Sequence, residues 1–133
     1  MSTSLRELLS TLDRDHYTVA ASGEVECWFG DGRKGRRHRV RVSETDDAIR
    51  FEATVVGAAA LRGAWGEQLH RMAWRRNRST NLVGFRVDGA GRLVAEATAP
   101  NIGLTFPEFA LYLRTVAAEA DRLEMIMTAR DVQ

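Results

Sequence analysis

Apolar and polar positions change their period several times along this chain of 133 residues, and each change predicts an element. Leu5, Leu8, Leu9 and Leu12 recur at helical spacing behind Ser4, and Glu7 completes a capping box, so a first helix is predicted from Ser4 to near Arg14. The period then falls to two. Val25, Cys27 and Phe29 alternate with Glu24, Glu26 and Trp28 as far as Gly30-Asp31-Gly32. His38, Val40 and Val42 alternate with Arg37, Arg39 and Arg41, and Ile49, Phe51, Ala53 and Val55 alternate with Arg50, Glu52 and Thr54. Three consecutive antiparallel strands with one buried face account for this pattern.

Helical spacing returns with Leu61, Trp65, Leu69 and Met72. Gly57, Gly63 and Gly66 blur the start of this second helix, which is placed from about Ala64 to Asn77. Val83, Phe85 and Val87 alternate into Asp88-Gly89-Ala90-Gly91, and Leu93, Ala95 and Ala97 alternate out, which is a hairpin with glycines available for positive φ. Thr105-Phe106-Pro107-Glu108 reads as a capped helix start. Phe109, Leu113, Val116, Ala120, Leu123 and Met127 then form one apolar face to near Arg130, a helix of about 25 residues and roughly 37 Å. The prediction is one α+β domain over residues 1–133 in the order helix, three strands, helix, two strands, helix. Its antiparallel five-stranded sheet is braced by the last helix.

Composition changes this picture little. A hydrophobic content of 44% beside 28% charged residues is enough for a core without a staple, and a net charge of +1 gives no global pull toward an acidic partner. Cys27 stands alone, so it forms no intramolecular disulfide and reads as a small buried hydrophobe. The first residues contain no uninterrupted apolar run, and no window approaches the ~18 apolar residues of a membrane span. A cytoplasmic protein without membrane contact is the expectation.

Chemistry-bearing motifs are few. Gly30-Asp31-Gly32-Arg33-Lys34-Gly35 is a literal GxGxxG after a strand, but the residues that follow it alternate as a strand instead of opening a helix toward a pyrophosphate, so it reads as a hairpin turn. His16, His38 and His70 fall in separate elements without metal-ligand spacing. No nucleophile elbow, phosphate loop or paired-carboxylate motif is present. The expectation is a protein that is not an enzyme, with no metal, no cofactor and no small-molecule substrate.

The arginines are more informative. Arg37, Arg39 and Arg41 project from one face of a strand, where Glu24, Glu26 and Glu52 on neighbouring strands would meet them. Arg33, Lys34 and Arg36 at the hairpin tip lack such partners and offer a surface for nucleic acid or an acidic partner. Arg71, Arg75 and Arg78, spaced by four and three, share one side of the second helix. Trp28, Trp65 and Trp74 are the candidate anchors for a partner protein if they lie on one surface, because binding energy concentrates in aromatics and arginines.

Leu69, Met72 and Asn77 closing the second helix, Gly84-Phe85-Arg86-Val87-Asp88 entering the hairpin, Gly91-Arg92-Leu93-Val94 leaving it, and Thr105 to Leu123 in the last helix together resemble the YbjN family of bacterial proteins. That family shares a fold with the type III secretion chaperones. The resemblance covers residues 64 to 127, and the first half by strand count. It implies a regulatory or chaperone-like homodimer that binds a protein partner and catalyses nothing. In the chaperones the second helix often builds the dimer interface, and here that stretch carries Trp65, Leu69, Met72 and Trp74. Association with nucleic acid, direct or through a nucleic-acid-processing partner, is the alternative.

Overall fold

The computed structural model describes residues 4–29, 36–80 and 82–131, the last three by main chain only. The elements are α1 (Leu5–Ser10), β1 (Tyr17–Val19), β2 (Glu24–Phe29), β3 (Arg36–Glu44), β4 (Ala48–Val56), α2 (Ala58–Arg62), α3 (Gly66–Ser79), β5 (Gly84–Val87), β6 (Leu93–Pro100) and α4 (Phe106–Asp131). The strands form one antiparallel sheet in the order β1-β2-β3-β4-β6-β5.

The alternations set the two faces as the sequence requires. Val25, Cys27, Val40, Val42, Ile49, Phe51, Ala53 and Val55 are buried under α4, which contributes Phe109, Leu113, Val116, Ala120, Leu123 and Met127. Phe51 sits between the rings of Phe109 and Tyr112, at centroid distances of 5.5 and 5.6 Å. Each large side chain covered in this way contributes about 1.5–3 kcal/mol. The capping box at the start of α4 closes both ways: Thr105 N–H donates to Glu108 Oε1 at 3.1 Å, and Glu108 N–H donates to Thr105 Oγ1 at 3.2 Å.

Three features differ from the expectation. The sheet has a sixth strand, β1, whose three residues are too few to reveal an alternation and are specified by pairing with β2. The first helix stops at Ser10 instead of near Arg14. The Ser10 and Thr11 hydroxyls donate to the carbonyls of Glu7 and Leu8, and Asp13 then accepts from the main-chain N–H groups of Asp15 and His16, which turns the chain into β1. The second helix of the expectation is α3, and an additional short helix, α2, precedes it, separated from it at Gly63. There Gly66 is obligatory: a Cβ would overlap the main-chain carbonyl oxygen of Leu61 and stand 2.8 Å from its carbon.

The outer edge of β5 is closed by a side chain. Asn77 Nδ2 donates to the Phe85 carbonyl at 2.9 Å, and the Phe85 N–H donates to Asn77 Oδ1, so both outward main-chain groups at the middle of the strand are occupied. An unprotected edge would offer them to another chain.

Candidate functional site

The face of the sheet turned away from α4 carries the polar half of every alternation. Register places Glu24 opposite Arg41, Glu26 opposite Arg39, Trp28 opposite Arg37, and Arg41 opposite Glu52. Arg39 reaches Glu26 at 3.2 Å and Glu24 at 3.4 Å, and Arg37 stands 3.7 Å from Glu26 with its guanidinium over the Trp28 ring at 5.5 Å. Trp28 Nε1 donates to Thr18 Oγ1 at 3.2 Å, so this half-buried indole is a packed member of the face. The cross-strand carboxylates expected for Arg37 and Arg39 are in contact with them, and Arg41 stands opposite Glu24 and Glu52 in register.

Farther along the same face Glu52 and Glu96 stand directly opposite each other, an arrangement that alone would repel. Two arginines resolve it. Arg50 contacts Glu52 and Glu96 at 2.8 Å each, and Arg86 contacts Glu96 at 2.7 Å and Glu52 at 3.4 Å. Burial disfavours the charge on Glu96, but the hydrogen bonds from Arg50 and Arg86 outweigh it and hold the carboxyl below the usual glutamate value.

Between these two groups lies a cleft of about 460 Å³, with Arg37, Arg39, Arg41 and Glu52 on its walls. It opens because β4 has a register shift between Thr54 and Val56 where it meets β6, while the β3–β4 ladder ends at the Arg41–Glu52 pair. His38 fills the gap. Its Nε2 stands 2.8 Å from the Thr54 carbonyl, which can only accept, so Nε2 carries a proton and Nδ1 faces Asp121 and Glu124 of α4 at 3.9 and 3.8 Å. Charges of both signs line this cleft, with Arg39 held by Glu24 and Glu26, Arg37 near Glu26, and Glu52 engaged by Arg50 and Arg86.

Arg36 has a partner that the sequence did not disclose. It lies 2.9 Å from Asp121, a buried carboxylate on α4, although most of its side chain remains exposed. Arg33 and Lys34, with the whole GxGxxG stretch, lie outside the described residues. Arg36, which follows it, opens a strand.

On α3 the arginine stripe is real. Arg71, Arg75 and Arg78 are exposed on one side together with Trp74, which is 61% exposed and lies under the Arg78 guanidinium at 5.1 Å. Arg71 is held by Glu67 at 3.1 Å, one turn back. Trp65 is also exposed, but it precedes Trp74 by two and a half turns and therefore stands on the other flank of the helix. The three tryptophans thus occupy three places: Trp28 on the sheet face, Trp65 at the α2–α3 junction, and Trp74 within the arginine stripe.

Sequence reasoning passed over a groove of about 480 Å³ between the end of α3, the middle of α4 and the lead into β5, lined by Arg76, Ser79, Leu82, Thr115, Glu119 and Arg122 among others. Arg76 donates to Glu119 Oε2 from Nε and Nη2 at 3.1 and 2.9 Å, and Arg122 flanks Glu119 at 3.7 Å. Leu82 has φ of 30° and is half exposed, a left-handed conformation that a leucine adopts at a cost. The only sequence signal here was the crowding of arginines before residue 80.

Cys27 is buried, and burial pushes its thiol up to about 12, so it is no nucleophile at neutral pH. Among the described residues no group of three or more His, Cys, Asp or Glu could hold a metal ion, and no helix is long and apolar enough to cross a membrane.

No family model matches this chain, and no curated protein matches it significantly. Solved structures do. A chain of the ExsC–ExsE complex superposes with a TM-score of 0.51 at 18% identity, covering 83% of this chain and 80% of that one. The Yersinia pestis type III secretion chaperone SycH, in complex with a stable fragment of YscM2, superposes with a TM-score of 0.52 at 12% identity, covering 90% of this chain and 95% of that one. The fold is that of the type III secretion chaperones.

Proposed function

We propose that this chain is a chaperone-like domain, active as a homodimer, that holds a protein partner in an adaptor or regulatory role and does so by binding, without turnover. The observation that carries the reading is the likeness over most of the chain to two proteins captured with polypeptide partners, ExsE and the YscM2 fragment. The regulatory sense rests on the resemblance of the residue pattern to the YbjN family alone. Trp74 supports a location for the contact: a largely exposed indole beside Arg71, Arg75 and Arg78 has the composition from which interface hot spots are built. Trp65 and Trp28 would belong to the rim of such an interface or to another one.

The test is capture of the tagged protein with and without nuclease, run beside Trp74→Ser. One protein that survives nuclease treatment and is lost with Trp74→Ser is the expected result. Partners that vanish with the nucleic acid would favour the alternative, in which Arg33, Lys34 and Arg36 contact nucleic acid. That alternative has less support now that Arg36 is engaged by Asp121.

A further inference from the structure

At the β1 edge of the sheet, beside α4, lies a small cavity of about 210 Å³ that takes no part in the arginine surfaces described above. Tyr17 and Cys27, opposite each other in register, and Phe29 give it an apolar floor. Tyr17 is only 8% exposed, yet its hydroxyl has no hydrogen-bond partner among the described residues. A phenol buried to this degree ordinarily finds a partner. The Tyr17 oxygen is not itself sealed in the core, so the unused hydroxyl opens on the cavity that the residue lines.

Arg114 of α4 lines the same cavity and makes no ion pair among the described residues. Its guanidinium stands near enough to act on both polar groups of the floor: burial pushes the Tyr17 phenol and the Cys27 thiol up, and the Arg114 charge works against the rise in each. One free guanidinium beside one free hydroxyl is a seat for a single carboxylate, whose plane the guanidinium fork matches.

The rim supplied by the turn between α1 and β1 has the opposite polarity. His16 Nδ1 donates to Asp13 Oδ1 at 2.9 Å, which leaves the neutral imidazole with Nε2 as an acceptor. That hydrogen bond holds the Asp13 carboxyl below the usual aspartate value, so a full negative charge stands beside the ring. The pair is fixed in place. Asp13 Oδ1 also accepts from the main-chain N–H groups of Asp15 and His16 at 3.1 and 2.9 Å, and the His16 carbonyl accepts from the Trp28 N–H at 2.9 Å.

We propose that this cavity binds a free amino acid with an apolar side chain, its carboxylate on Arg114 and the Tyr17 hydroxyl, its ammonium on the Asp13–His16 pair, and its side chain against Cys27 and Phe29. The two poles select this class over simpler ligands. A carboxylic acid leaves Asp13 unmatched, an amine meets Arg114, and a phosphate brings a second charge to one guanidinium while facing Asp13. At ~30 Å³ for each water the cavity holds about seven, which suits an amino acid and excludes a nucleotide. The Cys27 thiol stays protonated at neutral pH, so the ligand is held and not attacked.

The experiment is isothermal titration calorimetry of the whole chain at neutral pH with L-leucine and L-phenylalanine, each beside its deaminated acid and its decarboxylated amine. At least one amino acid should bind saturably with a dissociation constant of roughly 1 mM or tighter and raise the melting temperature as its concentration rises. Its acid and amine analogues should each bind about tenfold more weakly. Arg114→Gln should weaken the amino acid by about tenfold while the amine binds no worse. Tyr17→Phe should weaken it severalfold without lowering the melting temperature, since the hydroxyl removed has no partner in the protein. Asp13→Asn keeps an acceptor for the turn and should still weaken binding about tenfold.

Absence of saturable binding by either amino acid up to roughly 10 mM would overturn the proposal and leave the partner reading as it stands. An acid or amine analogue that binds as tightly as its amino acid would overturn it in favour of a site with one pole. Affinity unchanged in both Arg114→Gln and Tyr17→Phe would place the ligand elsewhere and overturn it. Displacement of the bound amino acid by an equal concentration of inorganic phosphate would overturn it in favour of a simple anion site.

Discussion

Asn77→Ala removes the carboxamide that closes the outer edge of β5, and its cost can be worked out from the two bonds involved. The Phe85 N–H loses an acceptor and the Phe85 carbonyl loses a donor, at about 1 kcal/mol net for each bond. Alanine is the better helix former in the last turns of α3 and returns roughly 0.6 kcal/mol. The expected loss is therefore about 1.4 kcal/mol, which for a chain of this length lowers the melting temperature by roughly 3–6 °C. Urea titration followed by circular dichroism measures it, and an unchanged slope confirms that the denatured state is unaffected. Asn77→Asp separates the two bonds, because a carboxylate still accepts from the Phe85 N–H but cannot donate to the Phe85 carbonyl. The aspartate variant should be destabilised too, and more so once its carboxyl ionises beside that carbonyl. Hydrogen exchange at the Phe85 amide should accelerate in Asn77→Ala beyond what global stability explains. An alanine variant as stable as wild type or more so would refute the argument, since helix propensity alone would then govern the position.

Gly66→Ala should cost several kcal/mol or prevent folding, because the added methyl meets the fixed main chain of Leu61 and not a movable side chain; a thermal melt decides it. Phe109→Ala empties the centre of the core beside Phe51 and should cost about 3–5 kcal/mol by denaturant titration. The folded Glu96 carboxyl lies below its ordinary value, so the folded state binds fewer protons than the unfolded chain; the Glu96 contribution is present above about 4.5 and is lost as pH falls from there through the folded value. The acid limb of stability against pH should accordingly be shallower in Glu96→Gln. Native protein should leave Cys27 unmodified by a disulfide reagent at pH 8, with modification appearing only at the rate of unfolding.

The elements legible in the sequence are those that local chemistry decides. The box at Thr105 and Glu108, the alternation through Phe51, and the Asp88–Gly91 turn each act within a few residues, and all are found where expected. Asp88 accepts from the main-chain N–H groups of Ala90 and Arg92, and Gly91 takes φ of 83°, so that hairpin is specified almost entirely by its own turn. What escaped depends on partners distant in sequence. β1 is defined by β2, the break at Gly66 by the end of α2, and the engagement of Arg36 by Asp121 on the last helix. The cross-strand pairing of Arg39 with Glu24 and Glu26 was readable because adjacent antiparallel strands fix their own register, whereas the groove at Glu119 requires knowing that α3 lies against α4.

The order of strands in the sheet also sets the moment at which a growing chain can bury its core. β1 to β4 pair side by side in the order in which they are synthesised, and β6 then returns past β5 to join β4. The helix that covers their apolar face is made last. At about 5–20 residues per second, the 26 residues of α4 take on the order of one to five seconds to add. Until then nothing is available to cover the apolar face that Val40, Ile49, Phe51 and Ala97 present in the folded sheet. Nascent chains arrested before Phe106 should consequently be bound by ribosome-associated factors or aggregate, and release from those factors should coincide with the docking of Phe109 onto Phe51.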